Sequence, residues 1–329
     1  MTRRVFNLAV FVIGAVVLAI LLYRMGTSGL ARVFGTVGIA FAFAAACDLG
    51  SIACDAFAIR AFLAAKEPVR VPFLRFALAQ ASGVAINRLT PANSLGEATK
   101  VTLLMAHVSR DAAVSAVVMF NVTTIFFGIF AIVIGVPITI LLLDLPRDVE
   151  LAVWIGTAVL VAFAIALALV IRRGALASLV DAARRVRVIS AARAARWREH
   201  TTAIDVRVRA ITAPGSGLAR GALGVIASRT CNWAGTLVLL HAADLPVTPP
   251  LVIATLSVGI LVTWMSNIIP LGVGLAEAYN FALYGALGAG GAAGLDYTMI
   301  NRGRTLVLAA MGLAIMAIAQ LGNTDTKAS

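Results

Sequence analysis

Six apolar runs, near 5–23, 37–59, 113–141, 151–171, 220–241 and 299–320, constrain this chain more than any other feature. Each approaches or exceeds the roughly 20 residues that carry a helix through bilayer hydrocarbon. Lipid offers no partner to a free backbone N–H or C=O, so runs of this length must close their hydrogen bonds internally, as helices do. With 61% hydrophobic residues and a mean hydropathy of +0.97, a soluble domain is excluded and a polytopic helical membrane protein is expected. Residues 5–23 follow Arg3 and Arg4 as a signal peptide would, but no small-residue cleavage site follows, so they read as the first span.

Two breaks interrupt the apolar pattern about 180 residues apart. The first runs from Asn87 and Arg88 through Pro91, Asn93, Ser94 and Gly96 to Glu97, and the second from Asn267 through Pro270, Gly272 and Gly274 to Glu277. Irregular backbone at membrane depth must be buried in protein or line a wet cavity. Matching interruptions in two halves point to a transporter-like binding site. In the first pair, the arm from 76 to 89 would be only about 20 Å long as a helix, short of a core of about 30 Å. The corresponding arm from 251 to 269 is long enough to span. The expected fold is therefore all-α, about six full spans plus two broken or re-entrant hairpins in two inverted repeats. These comprise a first repeat over 1–143, a second over 144–171 and 220–322, and a basic cytoplasmic segment, 172–219, inserted in the second.

The charges follow this division. Arg60, Lys66, Arg70 and Arg75, and the arginine-rich stretch between Arg172 and Arg220, fall on one side with Arg3 and Arg4, while Asp144, Asp148 and Glu150 fall on the other. The positive-inside rule makes the basic side cytoplasmic and places both termini there. Arg302 and Arg304 dissent, near the outer end of a span that starts at 299. The formal net charge of +12 is accounted for by topology and anionic headgroups rather than by nucleic acid. Leu176, Leu179, Val180, Ala183 and Val186 are spaced for a helix on the inner surface or simply belong to a topogenic linker.

Some residues carry chemistry. Ser94 and Glu97 have capping-box spacing, and Glu277 stands three residues after Gly274 in the same relation, so both glutamates would close a helix start within the membrane. Free amides at such a start also suit a phosphate. Arg88 offers a planar fork to phosphate, or else pairs with Glu97 or snorkels to an interface. Lys100 extends that basic surface or pairs with Glu97. Asp48 and Asp55, seven residues apart on one face, would carry protons or serve as permanent partners of Arg229, Arg302 or Arg304. Cys47, Cys54 and Cys231 lie within apolar sequence without metal-ligand spacing, and no nucleophile, nucleotide or cofactor motif occurs.

The strings PANSLGEATKVTLLMAH and PLGVGLAEAYNFALYGALG, matched at Pro91, Gly96, Glu97, Pro270, Gly272, Gly274 and Glu277, resemble the two hallmark segments of the lysylphosphatidylglycerol synthase transmembrane, flippase-like family. The resemblance implies a bundle with re-entrant helices that moves a lipid between leaflets of the cytoplasmic membrane. Two-part members of that family add a soluble aminoacyl-transferase domain. The sequence after Lys327 leaves no room for one, so aminoacylation by this polypeptide is not expected. Substrate-binding candidates are Arg88, Pro91, Ser94, Gly96, Glu97, Lys100, Pro270, Gly272, Gly274 and Glu277, acting on a lipid with a phosphate-bearing headgroup, with no metal or cofactor. One alternative is a noncatalytic partner that docks a lipid-pathway enzyme at its cytoplasmic face. The other is a membrane transferase with Glu97 or Asp48 as general base.

Overall fold

The computed structural model describes residues 3–64, 70–90, 94–142, 147–173, 201–202, 204–206, 208, 217–245, 247–266, 274–286, 288 and 290–325. Those residues form helices without strands: α1 Arg3–Val37, α2 Ala40–Leu63, α3 Phe73–Leu89, α4 Ser94–Leu104, α5 Arg110–Leu142 and α6 Arg147–Arg173. They continue with α7 Leu218–Ala242, α8 Pro249–Leu256, α9 Val258–Ser266, α10 Leu275–Ala286 and α11 Gly291–Asp325. Long apolar stretches in α2, α5, α7 and α11 suffice to cross a membrane, and shorter ones lie in α1, in α6 and across α8 and α9. The chain is an all-α polytopic membrane protein.

The centre of the fold is the antiparallel packing of α2 on α7. Both helices place small residues at heptad spacing: Ala44, Cys47, Ser51, Cys54, Ala58 and Ala61 on α2, and Gly221, Gly224, Ser228, Cys231 and Gly235 on α7. A 3.5-residue repeat keeps such a seam facing its partner, and small side chains let backbones in lipid approach closely. A Cβ on Gly224 would lie 3.1 Å from the Cys54 carbonyl oxygen, and the Ser51 and Ser228 hydroxyls bond at 2.8 Å.

Around this pair, α1 packs on α11 and α6 on α5. The outer faces of α1 and α6 expose Leu8, Val12, Val16, Leu151, Ile155 and Phe163, as lipid-facing surface should. The first hairpin, α3 and α4, packs against α11 and α5, while α8 and α9 lie on α5 and α10 lies on α11.

Each break has a local cause. Thr90, before Pro91, is extended at φ −118° and ψ 144° and ends α3, because proline bars the helical conformation to its predecessor. At the second site, the apolar run from 249 is divided at Ser257, with φ −123° and ψ −73°. The Ser257 hydroxyl donates to the Ile253 carbonyl at 2.6 Å and meets Thr139 of α5 at 3.3 Å. Neither half of that run then spans alone, since 8 and 9 residues give about 12 and 13 Å. Gly274 at φ 91° opens α10, in a region where a side chain would be strained.

The final helix alters one expectation. It begins at Gly291 rather than near 299, so Arg302 and Arg304 lie about 17 and 20 Å along it instead of at its outer end. Most of the basic segment, including Leu176 to Val186, lies outside the described residues. Its last part returns to the fold, with Ile204 and Val208 packed among Phe62, Phe76 and Leu104.

Candidate functional site

The segments that flank the two breaks meet across a cavity of about 360 Å³. The end of α3 contributes Asn87, Arg88 and Thr90; α5 contributes Thr124 and Phe127; and α7 contributes Arg229, Asn232, Trp233 and Thr236. Opposite stand Thr255 to Trp264 of α8 and α9, Tyr279 and Asn280 of α10, and Tyr297 to Leu308 of α11, with Arg302 and Arg304 among them. Gly128 admits the Trp264 ring, since a Cβ there would come within 2.9 Å of its Cη2. Phe127 and Trp233 pack at a centroid distance of 5.7 Å.

Four guanidiniums in a low-dielectric wall demand counter-charges, and three of them have one. Arg304 holds Asp48 of α2 in a fork, Nε to Oδ2 at 2.7 Å and Nη2 to Oδ1 at 2.6 Å, and Nη1 donates to Thr236 at 3.1 Å. Arg229 donates from Nη2 to both Asp55 oxygens at 3.1 Å, while Gln80 of α3 donates to Oδ2 at 3.0 Å. Arg302 pairs with Glu277, which also accepts the Gly274 N–H at 2.8 Å. The two aspartates thus tie α2 to α11 and to α7, and the glutamate ties the second break to α11.

Arg88 differs. It has no ion-pair partner among the described residues. The residue lies deep among protein atoms yet retains exposed surface, because it faces the cavity. As the last-turn cation of α3, it also opposes the negative end of the helix dipole.

Glu97 is saturated by protein. Oε1 accepts from Asn87 at 2.8 Å and Lys100 at 2.7 Å, and Oε2 accepts from Asn121 of α5 at 2.6 Å. Asn87 in turn accepts the Gly96 N–H at 2.8 Å through Oδ1, so one carboxylate and one amide clamp the hairpin. Gly96 makes this closure possible, since a Cβ there would overlap the Gly83 carbonyl and Asn87. These side-chain donors hold Glu97 where the end of α3 packs against the start of α4; the capping contact expected with Ser94 lies outside the described residues. In the second break, Glu277 does reach back to the Gly274 amide.

Arg88 and Arg302 therefore stand at the cavity, whereas Gly96, Glu97 and Lys100 form the hairpin clamp behind it. Asp48, Asp55 and Glu277 are engaged as counter-ions. Pro91, Pro270 and Gly272 lie outside the described residues, as does the Ser94 side chain. Sequence reasoning missed Asn87, Asn121, Trp233, Trp264, Tyr279 and Asn280. Amides inside apolar spans were the available signal for Asn121 and Asn280, while an aromatic residue in an apolar helix carries no mark of facing a cavity.

The family model of the lysylphosphatidylglycerol synthase TM region matches residues 7–312. No curated protein and no solved structure matches the chain.

Proposed function

From the premise that this chain belongs to the lysylphosphatidylglycerol synthase TM region family, whose members are embedded in membranes and tied to lipid modification or transport, we propose that it binds the phosphate-bearing headgroup of a membrane lipid and passes that lipid between leaflets. The carrying observation is Arg88, a guanidinium with no counter-ion among the described residues, which faces a polar cavity between the segments that flank the two breaks. An unpaired charge at that depth is costly, and a phosphate offers it two charge-assisted hydrogen bonds. The neighbouring amides and hydroxyls of Asn232, Thr236, Asn280 and Thr298 supply further polar wall.

Support for two inverted halves comes from corresponding contacts: α1 lies on α11 as α6 lies on α5, and each central helix, α2 or α7, is followed by a broken hairpin. In such an arrangement the headgroup moves through the cavity while its tails remain in lipid. The arginine distribution supports a cytoplasmic membrane location with both termini inside. The basic segment 172–219 is the place to seek a lipid-pathway enzyme as partner.

The test is mass spectrometry of lipids retained by gently purified protein, comparing wild type with Arg88→Ala at matched folding and yield. Enrichment of one headgroup class by wild type, lost in the variant, is expected. Retention of bulk membrane lipid alone by both proteins would refute headgroup binding at the cavity.

A further inference from the structure

Near the end of the basic segment, residues 201–208 do not sit as a charged linker would. Thr201, Thr202, Ile204, Asp205, Val206 and Val208 are helical, and their side chains sort by side. Val208 and Asp205 are 4% and 7% exposed and Ile204 is partly buried, whereas Val206 is 53% exposed. Ile204 and Val208 are four residues apart, so they share the buried face.

That face closes the base of the first hairpin. Ile204 and Val208 belong to one apolar cluster with Phe62 from the last turn of α2, Phe76 from the first turn of α3 and Leu104, the last residue of α4. The arms of this hairpin have 17 and 11 residues, about 25 and 16 Å, so neither reaches from one interface to the other and neither has the two interfacial anchors of a full span. The hairpin's place in the bundle therefore depends on contacts at its ends. Asn87, Gly96, Glu97 and Lys100 clamp its tip, and residues 201–208 cover the ends of both arms at its base. Phe76 lies twelve residues before Arg88 on the uninterrupted helix α3, about 18 Å away. The seat of α3 at Phe76 thus sets where Arg88 stands.

We propose that Ile204 and Val208 are positioning residues for Arg88, and that residues 201–208 form an intramolecular latch through which the basic segment acts on the cavity. The latch itself rests on packing alone. Its effect on a ligand rests on the headgroup-binding reading.

The experiment is hydrogen exchange of the full chain in mild detergent micelles, with the lipids retained by the same samples counted by mass spectrometry. Ile204→Ala combined with Val208→Ala strips the latch face. Val206→Ala shortens a side chain on the outward face, and Ile204→Val combined with Val208→Ile keeps the total apolar volume. The double alanine variant should speed exchange across 73–90 by at least about tenfold, because truncating two buried aliphatic side chains favours local opening by more than that. Exchange across 44–61 and 224–239, the α2–α7 seam, should stay at the wild-type rate, which a general loss of stability would not allow. Retention of the headgroup class should fall at least about threefold, as the fraction of protein holding Arg88 at the cavity drops. Val206→Ala and the volume-keeping pair should behave as wild type. Unchanged exchange across 73–90, an equal rise in the seam, or an equal effect of Val206→Ala overturns the latch. Faster exchange across 73–90 with undiminished headgroup retention overturns the positioning of Arg88. If wild type retains no headgroup class, the headgroup reading falls, and the exchange result decides the latch by itself.

Discussion

Removing both members of the Asp48 and Arg304 pair should cost this fold less than the sum of removing each alone. The side chains are 4% and 6% exposed, and their fork joins α2 to the middle of α11. Either Asp48→Asn or Arg304→Gln alone strands a buried charge, a loss of about 3–5 kcal/mol. That shifts the unfolding equilibrium by roughly two to three and a half powers of ten. The double variant leaves two neutral amides of similar shape in contact and should recover about 2 kcal/mol relative to the sum of the singles, as expected for directly coupled residues. Steric-trapping measurements of unfolding in lipid micelles would close the cycle. Additivity within about 0.5 kcal/mol would refute the claim that these two charges depend on each other.

Gly235→Ala should loosen the same fork, because the new Cβ would stand 2.9 Å from Arg304 Nη2 and 3.3 Å from the Ala44 carbonyl; a loss of about 1–3 kcal/mol is expected in the same unfolding assay. In the first hairpin, Gly96→Ala should separate α3 from α4, read as faster proteolysis or hydrogen exchange over 83–104, whereas unchanged protection would count against the glycine contact. Glu97→Gln leaves the ammonium of Lys100, 3% exposed, without its carboxylate; it should destabilise the fold more than Lys100→Met combined with Glu97→Gln in thermal unfolding. Cys54 adjoins Cys231 across the α2–α7 seam, so mild oxidation should join the two halves of a chain cut at an introduced protease site near 190. Failure to crosslink in folded protein would contradict the seam.

Much of the fold was legible because lipid leaves few choices: apolar runs of spanning length had to be helices, and Pro91 had to end α3. The broken second arm was not, since its interruption falls at Ser257, packed on Thr139 of α5, with no proline or glycine at that position to mark it. The α2–α7 seam was written in plain heptads of small residues, yet such residues are common in apolar helices, and only their register on two segments together identifies partners. At the site, Asp48 and Asp55 announced buried pairs by their cost, but which arginine met which carboxylate depended on where α11 began. Placing its start at 299 moved Arg302 and Arg304 to an interface; starting it at Gly291 puts them at the cavity. For Glu97 the local spacing pointed to a cap, while the three donors that hold it come from α3, α4 and α5, a tertiary arrangement that local spacing does not contain.

Leaflet exchange of labelled phosphatidylglycerol in proteoliposomes tests the central claim most directly. Vesicles holding wild type should expose inner-leaflet label to an external quencher faster than protein-free vesicles, and folded Arg88→Gln should return the rate toward the protein-free value. Exchange by wild type no faster than in empty vesicles, or exchange indifferent to Arg88, would contradict a headgroup path through this cavity.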